Sequence, residues 1–173
     1  VKPGAKSAVE STKNKRIGII GTEGTIKSEL YTQYIHSIDP EITVVGKACP
    51  LFVPLVEEGM LHDSVTDEVA SRYLESMKEE NIDSLILGCT HYPLLRSTVG
   101  KIMGPEVNLV NPAYETAISL DGLLRQNGIR ADKDANPEYE FYVSDAEEKF
   151  KEFANSIMPL HIEKINQINI EEY

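Results

Sequence analysis

Short apolar segments alternate with stretches of helical periodicity along most of this 173-residue sequence, and that alternation restricts the fold more than any other feature. Short apolar runs bounded by glycine or polar residues are typical of buried strands, and four runs fit: residues 15–21, 43–48, 84–88 and 107–110. Apolar residues recurring every three or four positions predict helices between them: residues 22–38, 53–58 (a short helix or turn), 64–81 and 94–103. This alternation predicts an α/β fold with a mainly parallel sheet flanked by helices.

The pattern changes after Asn111, where we place a boundary between residues 1–112 and 113–173. The second part predicts an amphipathic helix, a polar loop, a strand and a last helix, in the order 113–126, 127–137, 138–143 and onward to 158. Ser144 or Asp145 is expected to cap that last helix, because short polar side chains can bond the free amides of a first turn.

Bulk properties exclude several classes of partner. The net charge of −11 disfavours nucleic acid, because an acidic surface repels phosphate backbones. No run approaches the roughly 18 consecutive apolar residues that span a bilayer, so no membrane partner is expected. Residues 1–16 are polar and lysine-rich, unlike a secretory signal, and the first residue is not Met. We expect the sequence to begin partway through a longer protein.

Two cysteines, Cys49 and Cys89, are the thiols of the sequence. They form no Cys-x-x-Cys pair, so a structural zinc site is not expected. The sequence alone leaves a disulfide between them open, but two reduced thiols in a cytoplasmic chain are the simpler interpretation.

The segment with the most chemistry is LGCTHYPLL, residues 87–95. It places the thiol of Cys89 at the end of a predicted buried strand, followed by the hydroxyl of Thr90 and the imidazole of His91. A thiolate is a competent base or nucleophile, and a nearby imidazole or helix start stabilises it. Free cysteines are also among the residues most often buried for packing alone. The residues by themselves therefore leave a catalytic and a structural role for Cys89 open.

LGCTHYPLL closely resembles the second catalytic-cysteine motif of the bacterial glutamate racemases. Four further segments are similar to the same family in the same order: IGIIGTEGTIKSELY (17–31), ACPLFVPLVEEG (48–59), LVNPAYETA (109–117) and FYVSDAEEKF (141–150). The resemblance thus covers nearly the whole chain.

The resemblance implies two facing α/β lobes, each of which supplies one cysteine. One thiolate removes the α-proton of glutamate while the opposite thiol delivers a proton to the other face, since inversion needs a base and an acid on opposite faces. It implies no cofactor and no metal, glutamate as the substrate, and D-glutamate supplied for peptidoglycan. We also expect a homodimer in the cytoplasm.

The resemblance also assigns roles to individual residues. Cys89 matches the cysteine that acts on the L-enantiomer, and Thr90 matches a residue that holds the substrate. His91 matches the histidine that assists the thiol, and Glu57 matches a glutamate that supports this histidine, with Glu58 as the alternative. The catalytic set is therefore Cys89, His91 and Glu57. Without the resemblance, either glutamate reads more simply as part of a solvated helix end.

Other positions carry weaker expectations. Cys49 matches a structural position of the family. Thr22 and Thr25 either line the pocket or cap the helix that follows. Asn111 stands where many relatives carry Asp, a departure with no functional interpretation. His36, His62 and His161 are expected at the surface.

The family's Asp-Ser, Tyr-Gly and Cys-Asn-Thr signatures are absent from this sequence. We therefore expect residues 1–112 to be the second racemase lobe, which carries Cys89, and residues 113–173 to be a C-terminal segment of the first lobe. A chain with one of the two thiols is expected to be inactive alone. Two alternatives stay open: an aspartate- or hydantoin-type racemase, although aspartate racemases typically have an acidic residue in place of His91, and a non-catalytic fragment that only binds or associates.

Overall fold

The structure is a computed structural model that describes residues 1–132 and 134–172. It divides into two compact units, Val1–Arg130 and Ala131–Tyr173. The first unit holds the sheet, its flanking helices and every residue of the predicted active site. The predicted boundary at Asn111 concerns the lobes of a complete racemase, and it stays a prediction.

The sheet of the first unit confirms the predicted α/β class. Within the described residues it has four parallel strands, in the order β2-β1-β3-β4. The strands are β1 (Arg16–Gly21), β2 (Thr43–Ala48), β3 (Ser84–Leu87) and β4 (Asn108–Val110). All four lie within one residue of the predicted segments. Every residue of β3 is buried, which is why this strand reads as an uninterrupted apolar run.

Helices cover the sheet. They are α1 (Lys2–Ser11), α2 (Glu23–Lys27), α3 (Leu30–Ile38), α4 (Phe52–Glu57), α5 (Ser64–Glu79), α6 (Arg96–Met103) and α7 (Pro112–Gln126). One core cluster joins α1 and α3 to the strands, with Ala5, Ala8, Tyr31 and Ile35 packed among Ile17, Ile19, Ile42, Ile86 and Val110. The helix α1 was not predicted, because its buried positions are small residues in a polar stretch.

Several predicted helices differ from the observed ones. The stretch 22–38 is two helices, since Glu29 adopts the left-handed conformation at φ 52° and ends the α2 segment. Residues 92–95 form a 3₁₀ turn before α6 begins. Asp63 caps α5, accepting from the Val65 amide at 2.8 Å. The buried face of α5 is formed by Thr66, Ala70, Leu74 and Met77.

The second unit is small. Its strands β5 (Tyr142–Val143) and β6 (Asn166–Gln167) pair in parallel, and α8 (Glu147–Ile157) lies between them in sequence. Ala154, Ile162 and Ile165 form its buried cluster. Two predictions are wrong here. The strand expected at 138–143 has two residues, and α8 starts after Ala146, at φ 50°, without a side-chain cap from Ser144 or Asp145.

Across residues 1–132 and 134–172, no helix combines the length and the hydrophobicity needed to cross a bilayer.

Candidate active site

The carboxyl ends of the four parallel strands meet at one edge of the sheet, where ligands of open α/β sheets bind. Thr22 follows β1, Cys49 follows β2, Asn111 follows β4, and Gly88 and Cys89 follow β3. The strands therefore bring both cysteines to the same edge. What separates the two thiols is burial: Cys49 is fully buried and Cys89 is partly exposed.

The loop that carries Cys89 is held against the neighbouring strand by backbone contacts. The Gly88 amide donates to the Ile20 carbonyl at 2.7 Å. A Cβ at Gly88 would lie 2.8 Å from that carbonyl oxygen, so only glycine allows this approach. Beyond Gly88 the chain turns, and the Cys89 carbonyl accepts from the Tyr92 amide at 3.2 Å. The thiol is thus presented by a tight turn and not by a mobile loop tip.

The three residues of the predicted catalytic set form a connected series. The Cys89 Sγ lies 3.9 Å from Nδ1 of His91, and Nε2 of the same ring lies 3.3 Å from Oε1 of Glu57. The structure thus brings Glu57 to the imidazole; Glu58 is the C-cap residue of α4. An ionised carboxylate only accepts, so it favours a proton on Nε2 and leaves Nδ1 to exchange one with the thiol.

Thr90 lies beside this series. Its Oγ1 is 3.3 Å from Nδ1 of His91, and the residue is exposed. A hydroxyl in that position can contact both a ligand and the imidazole of His91. The exposure of Thr90 is typical of a residue that lines a site, whereas a residue that stabilises the loop from within would be buried.

Cys89 and Thr90 line a cleft of about 420 Å³. The lining also includes Tyr31, Asn111 and Thr116, together with Val1, Leu87, Gly88, Pro93, Pro112 and Ala113. Tyr31 and Thr116 were not predicted as site residues, since no sequence motif indicates them. The position of Asn111 directly after a predicted strand could have indicated a site residue. Its Oδ1, however, caps α7 and accepts from the Ala113 amide at 3.0 Å.

A larger groove, of about 1050 Å³, lies where the chain enters the strands. It is lined in part by Lys13, Asn14, Asp83 and Arg96. Its lining includes neither a thiol nor an imidazole, so it offers no comparable acid–base chemistry. The smaller cleft at the carboxyl edge is therefore the candidate active site.

Cys49 is a structural residue in this fold. Burial raises the pKa of its thiol to about 12, despite the lowering effect of the Lys47 charge, so the thiolate is scarce near neutral pH. Its Sγ lies 3.8 Å from the Lys47 carbonyl, and both cysteines are free thiols. The disulfide that the sequence left open is not formed.

Thr22 serves as the cap of α2. Its Oγ1 accepts from the Thr25 amide at 3.3 Å, and the two hydroxyls are 3.1 Å apart. Of the two roles expected for Thr22, pocket lining and helix capping, the structure shows helix capping. His36, His62 and His161 are exposed, as expected. In the described part of the chain, no three His, Cys, Asp or Glu residues cluster as a metal site would require.

The fold and the site define an α/β protein with a thiol–imidazole–carboxylate series at the carboxyl edge of a parallel sheet. The model of the Asp/Glu/Hydantoin racemase family matches residues 3–117. The chain belongs to this family.

The relatives that match the chain include glutamate racemases of known sequence and structure. The glutamate racemase of Geobacter metallireducens is 40% identical over 171 residues, which are 99% of this chain and 63% of the relative. A solved glutamate racemase of Bacillus anthracis superposes with a TM-score of 0.92 at 35% identity, covering 98% of this chain and 63% of that one. The glutamate racemase of Francisella tularensis, solved in complex with D-glutamate, gives 0.88 at 32% identity, covering 99% and 63%. The chain thus spans under two thirds of these relatives.

Proposed function

We propose that this chain supplies one half of the active site of a cofactor-independent glutamate racemase. The observation that carries the proposal is the series from Cys89 through His91 to Glu57, set at the carboxyl edge of the sheet beside an open cleft. The relatives that match the chain from end to end are glutamate racemases, which supports glutamate as the substrate.

In the proposed reaction, one proton is removed from the α-carbon and another is added to it. The Cys89 thiolate takes the α-proton of L-glutamate and becomes a thiol, while the electron pair of the broken C–H bond stays on the α-carbon. A second thiol on the opposite face then gives its proton to that carbon and becomes a thiolate. In the reverse direction the Cys89 thiol is the donor, so it must be able to hold and release a proton.

The neighbouring residues support this exchange. His91 faces the thiol through Nδ1 and stabilises its thiolate form, and Glu57 orients the ring from the other nitrogen. Thr90, exposed at the cleft, contacts the substrate. We assign Cys89 as the catalytic base and acid, His91 as its assistant, and Glu57 as the residue that acts through His91.

The opposing thiol does not come from these 173 residues in this proposal. Cys49 is fully buried and follows a strand of the same sheet, so it shares an edge with Cys89 and does not face it. Residues 113–173 contain no cysteine. We therefore propose that residues 1–112 are the lobe with Cys89, that 113–173 complete another lobe, and that the working protein is a cytoplasmic homodimer that makes D-glutamate for peptidoglycan.

The test is racemisation by the natural gene product that contains this chain, followed by circular dichroism of L- and D-glutamate. Cys89→Ala is expected to abolish activity, and Cys89→Ser to leave at most a trace, because a serine hydroxyl is a far weaker acid. Cys49→Ala, the matched control, is expected to keep activity. Normal rates with Ala at position 89 would contradict the proposed role of this thiol. A wild-type product that racemises aspartate in preference to glutamate would contradict the substrate.

A further inference from the structure

We propose that Tyr92 is a positioning residue that holds His91 in register with Glu57, an inference that rests on the proposed function. The two partners need such a device because they come from separate parts of the fold. His91 follows β3, whereas Glu57 ends α4, the helix after β2. The strand β1 lies between β2 and β3, so no ladder hydrogen bond joins the two segments directly.

Tyr92 bridges these two segments. It is fully buried, and its hydroxyl donates to the carbonyl of Cys49 at 2.7 Å. Its ring also meets the ring of Phe52 edge to face, with 5.2 Å between centroids and planes at 82°. Cys49 and Phe52 bracket the start of α4. A residue adjacent to His91 is therefore fastened, by a hydrogen bond and a ring contact, to the base of the helix that carries Glu57.

The contact between His91 and Glu57 is weak by comparison. The Glu57 side chain is 44% exposed, and ion pairs that reach solvent do little to fix two side chains in one geometry. A buried hydroxyl bonded to a carbonyl is different, because solvent does not compete for the bond. The Cys49 carbonyl also accepts from the Phe52 amide at 3.1 Å, so the Tyr92 hydroxyl binds an acceptor that is itself held at the start of α4. Burial also raises the pKa of Tyr92, so its hydroxyl stays protonated and remains a donor at any working pH. The buried bond is thus the better determinant of the geometry.

The fold provides a matched control in Tyr73. Its ring also packs edge to face on Phe52, with centroids 5.5 Å apart, and its hydroxyl accepts from the Leu51 amide at 3.3 Å. Tyr92→Phe and Tyr73→Phe therefore remove the same atom around the same ring. Only the hydroxyl of Tyr92 connects the His91 turn to the start of α4. The hydroxyl of Tyr73 connects α5 to the start of α4.

The primary readout is alkylation of Cys89 by iodoacetamide in the 173-residue chain at neutral pH. Tyr92→Phe is expected to slow it about fivefold, the effect of one lost buried hydrogen bond on a site that depends on it. Tyr73→Phe is expected to change it by less than about twofold. Equal rates for the two variants would overturn the proposal.

A double-mutant cycle with Glu57→Gln separates positioning from general stability. If Tyr92 acts through the pair, Tyr92→Phe costs nothing further once Glu57 is replaced. The same fivefold loss in both backgrounds would overturn the proposal, because the hydroxyl would then act by another route. Phe52→Leu removes the ring contact and keeps the hydroxyl. It provides a second cycle with the same criterion if Tyr92→Phe unfolds the chain.

Racemisation kinetics of the natural gene product provide an independent test. There Tyr92→Phe is expected to lower kcat about fivefold with little change in KM, since it alters the base and not the binding groups. A wild-type product without racemase activity would refute the proposed function, while the alkylation cycle would still decide the role of Tyr92. A variant whose KM rises at unchanged kcat would count against positioning of the base.

Discussion

The two cysteines follow two parallel strands of one sheet, β2 and β3, yet their surroundings give them opposite chemistry. Cys49 is fully buried, and its pKa of about 12 leaves almost no thiolate at neutral pH. Cys89 is partly exposed in a cleft and faces an imidazole nitrogen at 3.9 Å. Reactivity at these two positions is therefore set by burial and by neighbours, while the side chain is the same.

This contrast predicts that Cys89 is alkylated faster than Cys49 by on the order of a hundredfold or more at pH 7. Because the Cys49 thiolate fraction grows tenfold for each pH unit below a pKa of about 12, its slow reaction should accelerate steadily from pH 7 to 9. Peptide mapping after timed exposure to iodoacetamide measures both rates. Faster labelling of Cys49 in the folded chain would refute the assignment of Cys89.

At Gly88 the backbone itself is the constraint. A methyl group there would meet the Ile20 carbonyl at 2.8 Å, a fixed backbone atom that cannot move without disturbing β1. Gly88→Ala is expected to destabilise the fold by roughly 1–3 kcal/mol. Gly122→Ala is the control, since nothing lies within 4 Å of a Cβ in that part of α7. It should stabilise the chain by about 0.5–1 kcal/mol.

Urea unfolding of both glycine variants measures these effects. Opposite signs are the expected result, because the substitution is the same and only the surroundings differ. Equal stabilisation by both alanines would show that the β3 turn has more room than the structure gives it.

Among the elements, the loop between α1 and β1 is tied down by one carboxylate. Asp83, just before β3, accepts from the Thr12 hydroxyl, from the Lys13 amide at 2.6 Å and from the Asn14 amide at 2.9 Å. Burial alone would raise the pKa of Asp83, but these hydrogen bonds outweigh it and lower the pKa below its ordinary value of 3.8. The carboxylate thus fixes how α1 enters the sheet.

Asp83→Asn is expected to destabilise the chain by roughly 1–3 kcal/mol near neutral pH, because an amide nitrogen cannot accept these bonds. The folded pKa of Asp83 is depressed, so its contribution is present above about pH 4 and fades as the pH falls through the lowered pKa. The difference between variant and wild type should therefore shrink in acid.

Thermal unfolding as a function of pH tests this prediction. Asp121→Asn is the control: its pKa is also lowered, by Arg130 and Arg125, but it lies at the surface where ion pairs are screened. A smaller loss is expected for that variant. A penalty at Asp83 that stayed constant down to pH 2 would argue against the carboxylate as its cause.

The elements also show what local sequence can and cannot specify. The strands β1 and β3 were predicted because burial on both faces makes each an apolar run, whereas the edge strand β2 is only partly buried. The helix α1 was missed because it buries only small residues such as Ala5 and Ala8. The break at Glu29 was missed because a left-handed glutamate has no local signal, unlike glycine. The partnership of Glu57 with His91 depends on two segments that meet only in the folded sheet.

Across the whole molecule, the helix α7 buries none of its residues. Tyr114, Ile118, Leu120 and Leu123 are each more than half exposed. Four large apolar side chains exposed along one helix favour a partner surface that covers part of α7. This exposure supports the proposal that residues after Pro112 belong with another lobe in the working enzyme.

The 173-residue chain alone is expected not to racemise glutamate. Removing the weakly acidic α-proton requires a closed, preorganised site, and a proton donor opposite Cys89 is needed for inversion. Neither is provided by Cys49, which is buried at the same sheet edge. Circular dichroism of L-glutamate over a day with the purified chain is the measurement.

The control for that measurement is the Cys89→Ala chain, prepared in the same way, which reveals any contaminating racemase. Conversion by the wild-type chain and not by this control would show that one thiol is sufficient. The two-thiol mechanism would then need revision.

Val1 is part of the cleft wall that Cys89 lines. This placement matters for anyone who handles the protein, because a purification tag or fusion partner attached ahead of Val1 would begin beside the residues that line the cleft. Such an extension could shield the thiol from reagents or compete with small ligands. Alkylation rates of Cys89 measured with and without an amino-terminal tag would reveal the interference directly.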